Sequence, residues 1–415
     1  MRILVISHNC FSKVYNNGKT LESLFYCQPK EDLSQLFFHP DSYPDFDFCD
    51  NLWQITENDL IKSVLTRSDH VGHCINKSPQ NAKMGYPKIF IWLKKLCGNV
   101  LRELLWSSCC WESPALWTWL NNFRPQLVFY VGGPVQFSAD IALEISSRFH
   151  IPLAVYYTDD YLFSIDTSSH KGRRKYQQIK KLYSMVLEHS SAQFAIGDMM
   201  ALEYENYFNK PFIPILNSIK IRPYVEYIDN PSISIAYFGG LHLARWNMIV
   251  RLAKLLDNKA KIVVYTDRSN IKDEIQSAFE KVGVACHDLL SGSCLIDAMN
   301  KSDMLLHVES NDVINRRFTR LAISTKIPEY LISGRPILGF GPVEVASMKL
   351  LSENDIGYIV NSEDSDAEIR NNILTIINDY SRRKELGLKG YYYAVRRFDV
   401  EIVSKKLLQE LSSII

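Results

Sequence analysis

The sequence lacks the features that mark several protein classes. Its 415 residues carry 47 basic and 46 acidic side chains, and a net charge of +1 gives no global attraction to nucleic acid. No apolar run reaches about 18 residues, the length that a membrane-spanning helix needs. The nine cysteines have no convincing metal-ligand or redox spacing, so we expect reduced, buried thiols. Internal repeats and low-complexity tracts are missing as well.

Short apolar runs alternate with helical patterns along the whole chain, which favours an α/β fold with parallel sheets. The predicted strands of the first half are residues 3–6, 36–38, 127–131, 153–157, 194–196 and 212–216. Those of the second half are residues 234–238, 262–265, 284–287, 304–308, 336–340 and 357–360. Two sets of six strands predict two doubly wound domains.

The predicted domain boundary is the polar segment 217–231, which contains Pro223 and Pro231. We therefore predict one domain over residues 1–218 and another over residues 231–397. The last helix, within residues 398–415, is expected to cross back to the first domain. Since a strand pattern directly follows Met1, the chain is expected to begin without a signal peptide and to be cytoplasmic.

A strand, two glycines and a helix follow one another at residues 234–256. Gly239 and Gly240 allow backbone N–H groups to approach a diphosphate, and the N-terminus of the following helix favours an anion. Arg245 could supply the positive charge that a leaving nucleoside diphosphate needs. An ordinary strand-to-helix turn is the alternative, and this motif alone leaves both open.

A second pattern, helix then buried strand, spans residues 324–338. Ser324 or Thr325 is the predicted cap of the helix. Its N-terminus is expected at the carboxyl edge of the sheet, where doubly wound folds bind ligands. There Lys326 would lie near a phosphate, and Glu329 could accept hydrogen bonds from ribose hydroxyls. A solvated lysine and a glutamate favoured by the helix dipole are the alternative.

These residues carry a family resemblance. Thr-Lys-Ile-Pro-Glu-Tyr-Leu-Ile-Ser-Gly-Arg-Pro-Ile-Leu, at residues 325–338, resembles the donor-site segment of family 4 glycosyltransferases and their relatives. Gly239, Gly240 and Arg245 resemble the phosphate loop of that family. The resemblance implies the GT-B fold, in which two Rossmann-like doubly wound domains face a central cleft. The first domain would take the acceptor and the second a UDP- or GDP-type nucleotide sugar.

The resemblance also assigns roles to residues. It implies that Glu329 holds the ribose, that Arg245 and Lys326 hold the phosphates, and that no metal or other cofactor is needed. Thr325 is a further candidate for binding the nucleotide sugar. Retention of configuration is favoured over inversion.

One position departs from the family pattern, because Leu321 stands where the family has a second glutamate. Glu309 or Asp312 is predicted to occupy similar space, and Glu309 becomes a candidate catalytic residue. Leu321 equally supports a non-catalytic subunit that activates a partner transferase. A nucleotide-sugar 2-epimerase, which shares the fold, is a further alternative.

Two constellations in the first half would border the implied cleft. Gly18 and Lys19 follow the first strand and fit contact with a phosphate or an acceptor, although the leading glycine of a P-loop is missing. Asp159 and Asp160 follow a buried strand, and either is a candidate general base. A tight turn and a solvated strand end are the structural alternatives.

Aromatic and basic residues mix in residues 86–119, which include Lys88, Lys94, Lys95 and Arg102. A second basic cluster spans residues 171–181. Both suit an interfacial helix at an anionic leaflet, or equally a buried aromatic helix beside a solvated basic one. The sequence as a whole predicts a metal-independent glycosyltransferase of surface polysaccharide biosynthesis, peripheral at the inner membrane face, with a saccharide or polyprenol-linked acceptor.

Overall fold

The computed structural model describes residues 1–13, 16–40, 43–75, 100–107, 111–228 and 230–415. The chain divides into two compact units. Unit 1 consists of residues 1–162, 167–215 and 403–415, and unit 2 consists of residues 163–166 and 216–402. The C-terminal helix Val400–Ser412 therefore begins in unit 2 and ends in unit 1. The predicted boundary segment, residues 217–231, lies in unit 2.

Unit 1 is built on a sheet with the strand order β4-β3-β2-β1-β5-β6-β7-β8. Its strands are β1 (Ile3–Ser7), β2 (Leu33–Phe37), β3 (Leu52–Gln54), β4 (His73–Cys74), β5 (Leu127–Gly132), β6 (Leu153–Tyr157), β7 (Ala192–Ala195) and β8 (Ile213–Pro214). All neighbours run parallel except β3 and β4. The helices that end in this unit are Asn16–Leu24, Glu57–Thr66, Val100–Ser107, Pro114–Phe123, Gln136–Phe149, His170–His189, Asp198–Phe208 and Val400–Ser412.

Local sequence signals explain where these helices begin. Ser113 caps the helix Pro114–Phe123 by accepting a hydrogen bond from the Leu116 N–H, and proline occupies the first helical position, where no N–H is needed. Thr56 and Asp59 form a reciprocal capping box at the start of the helix Glu57–Thr66. Hydrogen bonds of this kind fix the ends of the elements that pack against the buried sheet.

Unit 2 is built on a sheet with the strand order β11-β10-β9-β12-β13-β14, parallel throughout. Its strands are β9 (Ser234–Phe238), β10 (Lys261–Thr266), β11 (Ala285–Asp288), β12 (Met304–Val308), β13 (Ile337–Gly341) and β14 (Tyr358–Asn361). The helices are Arg245–Leu256, Asp273–Lys281, Gly292–Lys301, Val313–Thr319, Lys326–Ile332, Ala346–Glu353, Asp366–Asn378 and Tyr380–Arg397. Counted from β9, the order is 3-2-1-4-5-6, that of the Rossmann fold.

The predicted doubly wound architecture is confirmed in both units. Each predicted strand overlaps an observed one, and β9 and β12 match the predicted bounds. The strands β3 and β4 were not predicted, because three and two residues are too short to display a period. Within the described ranges, no helix combines the length and the apolar character that crossing a membrane requires.

The strand order of unit 2 determines where a ligand can bind. The order reverses between β9 and β12, which are neighbours in the sheet. Chain segments that leave the carboxyl ends of these two strands diverge to opposite faces and open a crevice there. Gly239 and Gly240 directly follow β9, and Glu309 directly follows β12. Residues that the sequence predicted as site residues therefore lie at this crevice of unit 2.

Candidate functional site

The turn after β9 is strained and tightly packed. Gly239 has φ of +119°, and a Cβ atom at this position would lie 2.4 Å from Cε of Lys326. Leu243 and Ala244 follow with φ of +58° and +55°, a region that costs energy for residues other than glycine. Ala244 is the N-cap of the helix Arg245–Leu256 and offers no side-chain cap. The turn thus presents backbone and helix start to the crevice.

Arg245 crosses the crevice and pairs with Glu309. Its Nη2 atom lies 3.1 Å from Oε1 and 3.3 Å from Oε2, and its Nε donates to the Val308 carbonyl at 3.3 Å. The two side chains are only 12% and 3% exposed. Burial raises the pKa of Glu309, although Arg245 and Lys326 act in the opposite direction. The pair fixes the guanidinium between β12 and the glycine turn.

Lys326, in the first turn of the helix Lys326–Ile332, reaches the same turn. Its Nζ donates to Oη of Tyr237 at 2.8 Å and lies 4.2 Å from the centre of that ring. The helix is tied to β9 because Oη of Tyr330 accepts a hydrogen bond from the Phe238 N–H at 3.0 Å. Burial, and then the nearby Arg245, lower the pKa of Lys326 to about 7. Its ammonium is therefore easily deprotonated near neutral pH.

His307 lies behind the Arg245–Glu309 pair. Its Nε2 is 2.9 Å from Oγ of Ser347 and 3.6 Å from Oε1 of Glu309. Burial, Arg245 and Lys326 lower the pKa of His307 to about 3, so the ring is neutral near pH 7. It supports Glu309 by packing and not by charge.

The two other residues predicted to bind the donor, Glu329 and Thr325, lie in the helix Lys326–Ile332 and at its N-cap. Glu329 is partly exposed, and its negative charge acts on both Lys326 and Arg222. Thr325 is exposed and holds the N-cap position without a side-chain hydrogen bond. The predicted capping by Thr325 is wrong, because its φ and ψ of −61° and −16° are already helical. Its hydroxyl role toward a phosphate stays a prediction.

The position that departs from the family pattern is closed to a ligand in unit 2. Leu321 is fully buried. Asp312, one predicted substitute, caps the helix Val313–Thr319 by accepting from the N–H groups of Ile314 and Asn315 at 3.1 and 3.0 Å. Glu309, the other substitute, is engaged with Arg245. Neither acid is free for a donor sugar in this arrangement.

No protein-family model matches the sequence, and no curated protein matches it. Solved structures do match over nearly the whole chain. Sucrose-phosphate synthase from Thermosynechococcus elongatus aligns with a TM-score of 0.61 at 11% identity, covering 100% of this chain and 98% of that one. A TarM mutant from S. aureus, in complex with Fondaparinux, alpha-GlcNAc-glycerol and UDP, aligns at 0.59 and 11%, covering 99% of each chain. WaaG aligns at 0.55 and 10%, covering 98% of each.

The chain has the GT-B fold. This confirms the fold that the sequence predicted. At identities of 10–11%, the likeness concerns the fold alone, so the assignment of individual residues rests on the geometry of unit 2.

The predicted residues of the other GT-B domain, unit 1, have clear structural surroundings. Gly18 lies in the first turn of the helix Asn16–Leu24, and a Cβ there would meet Cβ of Ser12 at 2.6 Å and the Cys10 carbonyl oxygen at 2.7 Å. Close packing therefore accounts for this glycine. Lys19 is exposed, and its contact with a ligand stays a prediction.

The two adjacent acids differ in environment. Asp160 is 2% exposed, and its Oδ1 accepts hydrogen bonds from the Leu162 N–H at 3.0 Å and from Oη of Tyr204 at 3.1 Å. Asp159 is exposed and accepts a bond from Oγ1 of Thr158 at 3.1 Å. Asp160 thus anchors its loop, and Asp159 is the better placed of the two to act as a base.

The two predicted basic segments also have different surroundings. Lys88, Lys94 and Lys95 lie outside the described residues, and Arg102 pairs with the buried Glu57 at 2.7 Å. The helix His170–His189 carries six exposed cations: Lys171, Arg173, Arg174, Lys175, Lys180 and Lys181.

Sequence reasoning missed Tyr237 and His307. Each is a polar ring near the carboxyl end of an otherwise apolar strand, and that placement at the edge where ligands bind was the available signal.

Proposed function

We propose that the chain is a glycosyltransferase that moves a sugar from a nucleotide-sugar donor to a saccharide or lipid-linked acceptor. The observation that carries this proposal is the convergence of Arg245 and Lys326 on the Gly239–Gly240 turn, at the switch point of the sheet in unit 2. A diphosphate carries several negative charges, and two cations beside a glycine turn are suited to receive it, although the Gly239 N–H itself donates to the Tyr265 carbonyl at 2.8 Å.

In the proposed reaction, the bond between the anomeric carbon and the β-phosphate oxygen breaks, and its electron pair stays with the nucleoside diphosphate. Arg245 and Lys326 stabilise that developing charge. Because side chains supply the countercharge, the proposed reaction is independent of a metal. Glu329 accepts hydrogen bonds from the ribose, and the acceptor hydroxyl loses its proton to a base, for which Asp159 is the candidate. We favour retention of configuration.

The donor and the pathway are proposed by analogy. The solved TarM complex contains UDP, which supports a UDP-type donor ahead of a GDP-type one. WaaG is described as a glycosyltransferase involved in lipopolysaccharide biosynthesis. A surface polysaccharide or its lipid-linked intermediate is accordingly the proposed acceptor class.

Thermal unfolding and calorimetry with UDP, GDP and ADP test the donor site. UDP at 100 times its dissociation constant should stabilise the folded protein by about 2.7 kcal/mol. Arg245→Ala should abolish this stabilisation, whereas Lys254→Ala should keep it, because Lys254 is an exposed cation near the far end of the same helix. If none of the three nucleotides stabilises the wild-type protein, the proposal is wrong.

A non-catalytic subunit that activates a partner transferase is the second candidate, and the burial of Leu321 favours it. Incubating the purified chain with radiolabelled nucleotide sugars separates the two candidates. Hydrolysis or transfer of the sugar supports the enzyme. Tight nucleotide binding with no consumption of any donor supports the subunit.

We further propose that the exposed cations of the helix His170–His189 hold the protein at an anionic membrane surface. Co-sedimentation with vesicles that contain phosphatidylglycerol should be strong at low salt and weak at high salt. Replacing Lys171, Lys175 and Lys180 by Glu should prevent it. Equal binding to neutral phosphatidylcholine vesicles would contradict this assignment.

A further inference from the structure

Tyr237 connects the two halves of the candidate diphosphate site. Its ring belongs to the hydrophobic core of unit 2 and is 1% exposed, so strand β9 and the core fix where its hydroxyl lies. That hydroxyl donates a hydrogen bond to the Gly240 carbonyl at 2.6 Å. A phenol has one proton, so its remaining lone pair is directed at the Nζ of Lys326, 2.8 Å away.

Lys326 depends on this contact for its position. A lysine side chain is a flexible four-carbon stem with a compact charge at its end. Across the described part of the chain, Lys326 forms no ion pair within 4.0 Å, and the Tyr237 hydroxyl is its hydrogen-bond acceptor. The stem lies against Gly239, and a Cβ atom there would displace the end of the lysine side chain. The hydroxyl and the ring of Tyr237 together hold the ammonium over the glycine turn.

We propose that Tyr237 is the positioning residue that aims Lys326 at the diphosphate of the donor. This inference rests on the proposed function and deepens it, since it explains how a lysine on one helix serves a turn that begins 87 residues earlier in sequence. Tyr237 itself does not touch the ligand. It acts by preorganising the ammonium, which lowers the cost of ordering a long side chain on binding.

The charged groups around Lys326 make the positioning sensitive to pH. Arg245 disfavours the protonated amine, whereas Glu309 and Glu329 favour it. His307 and His242 also face this cluster, and both have lowered pKa values because of burial and the two cations. The Tyr237 hydroxyl accepts a bond from the ammonium form, so its removal should shift Lys326 toward the neutral amine.

The test is a double-mutant cycle of Tyr237→Phe and Lys326→Met, with calorimetric binding of UDP and of uridine, which lacks phosphate. Tyr237→Phe should weaken UDP binding about tenfold, the loss expected of a hydrogen bond to a charged group, and leave uridine binding unchanged. In the Lys326→Met background the same change should have little further effect on UDP. The pH at which UDP affinity begins to fall should also be lower in Tyr237→Phe.

Three results would overturn the inference. They are unchanged UDP affinity in Tyr237→Phe, equal weakening of UDP and uridine, and an undiminished effect in the Lys326→Met background. Thermal unfolding without ligand establishes that Tyr237→Phe is folded. If the wild-type protein binds none of UDP, GDP and ADP, the proposed function itself fails. If it binds and the cycle is additive, only the role of Tyr237 fails.

Discussion

Binding of a nucleoside diphosphate should weaken as pH rises through neutrality. Burial and Arg245 lower the pKa of Lys326 to about 7. Roughly nine tenths of the side chain is then protonated at pH 6 and roughly one tenth at pH 8. Of the two forms of Lys326, only the ammonium attracts the diphosphate. At pH 8 the free energy needed to protonate Lys326 therefore opposes binding. We expect UDP affinity to fall about tenfold between pH 6 and pH 8, or about 1.4 kcal/mol.

Isothermal titration calorimetry at pH 6, 7 and 8 measures this directly, and buffers of different ionisation enthalpy report the proton taken up on binding. The terminal phosphate of UDP also gains charge over this range, near a pKa of about 6, which works against the fall. Lys326→Met corrects for that contribution, because methionine has similar length and does not titrate. Equal pH dependence in the wild-type and Lys326→Met proteins, with no proton uptake, would refute the role given to Lys326.

Three further substitutions test the surroundings of the site by urea unfolding. Gly239→Ala should lower the free energy of unfolding by roughly 2 kcal/mol or more, because φ of +119° lies outside the left-handed region that alanine can adopt. Gly283→Ala, with φ of +71° in open space, should lower it by only roughly 1 kcal/mol, and equal losses would contradict the strain assigned to Gly239. Glu309→Ala should lower the free energy of unfolding by roughly 3 kcal/mol, because it leaves the nearly buried guanidinium of Arg245 without its carboxylate. Added UDP should restore part of that stability. Leu321→Glu should lower the free energy of unfolding by roughly 3 kcal/mol or more, because Leu321 is fully buried, whereas Leu321→Met should lower it by less than about 1.5 kcal/mol. A stable Leu321→Glu protein would mean that this position can face a ligand.

The fold was accessible from sequence because its strands are buried on both faces. Such strands are continuous apolar runs, as in β9 and β12, and their ends coincide with glycine or polar residues. The strand β3 carries two large apolar residues, Leu52 and Trp53, in a polar stretch. The strand β4 has two residues and pairs antiparallel at the edge. These short strands are defined by their hydrogen bonds to neighbouring strands, and no local sequence pattern indicates such bonds.

The site was only partly accessible from sequence. The sequence predicted site roles for Gly239, Arg245 and Lys326, because these residues lie at the ends of helices and strands, where local patterns are informative. The contact between Lys326 and Tyr237 joins residues 89 positions apart, and the contact between Arg245 and Glu309 joins residues 64 apart. Such pairs depend on the strand order, which places β9 beside β12. Local sequence motifs do not predict that order.

The pairing of Glu309 with Arg245 balances part of the positive charge beside the glycine turn. Two cations held close together in a poorly solvated site repel each other and lose hydration. One is neutralised by Glu309, and the other, Lys326, has a pKa of about 7 and can release its proton. Glu309, Glu329 and the lowered pKa of Lys326 therefore keep the net positive charge of this cluster low near pH 7. The negative charge of the proposed diphosphate would favour the protonated form of Lys326. A carboxylate at position 309 serves this balance, which is a physical reason for it to contact Arg245 and not a donor sugar.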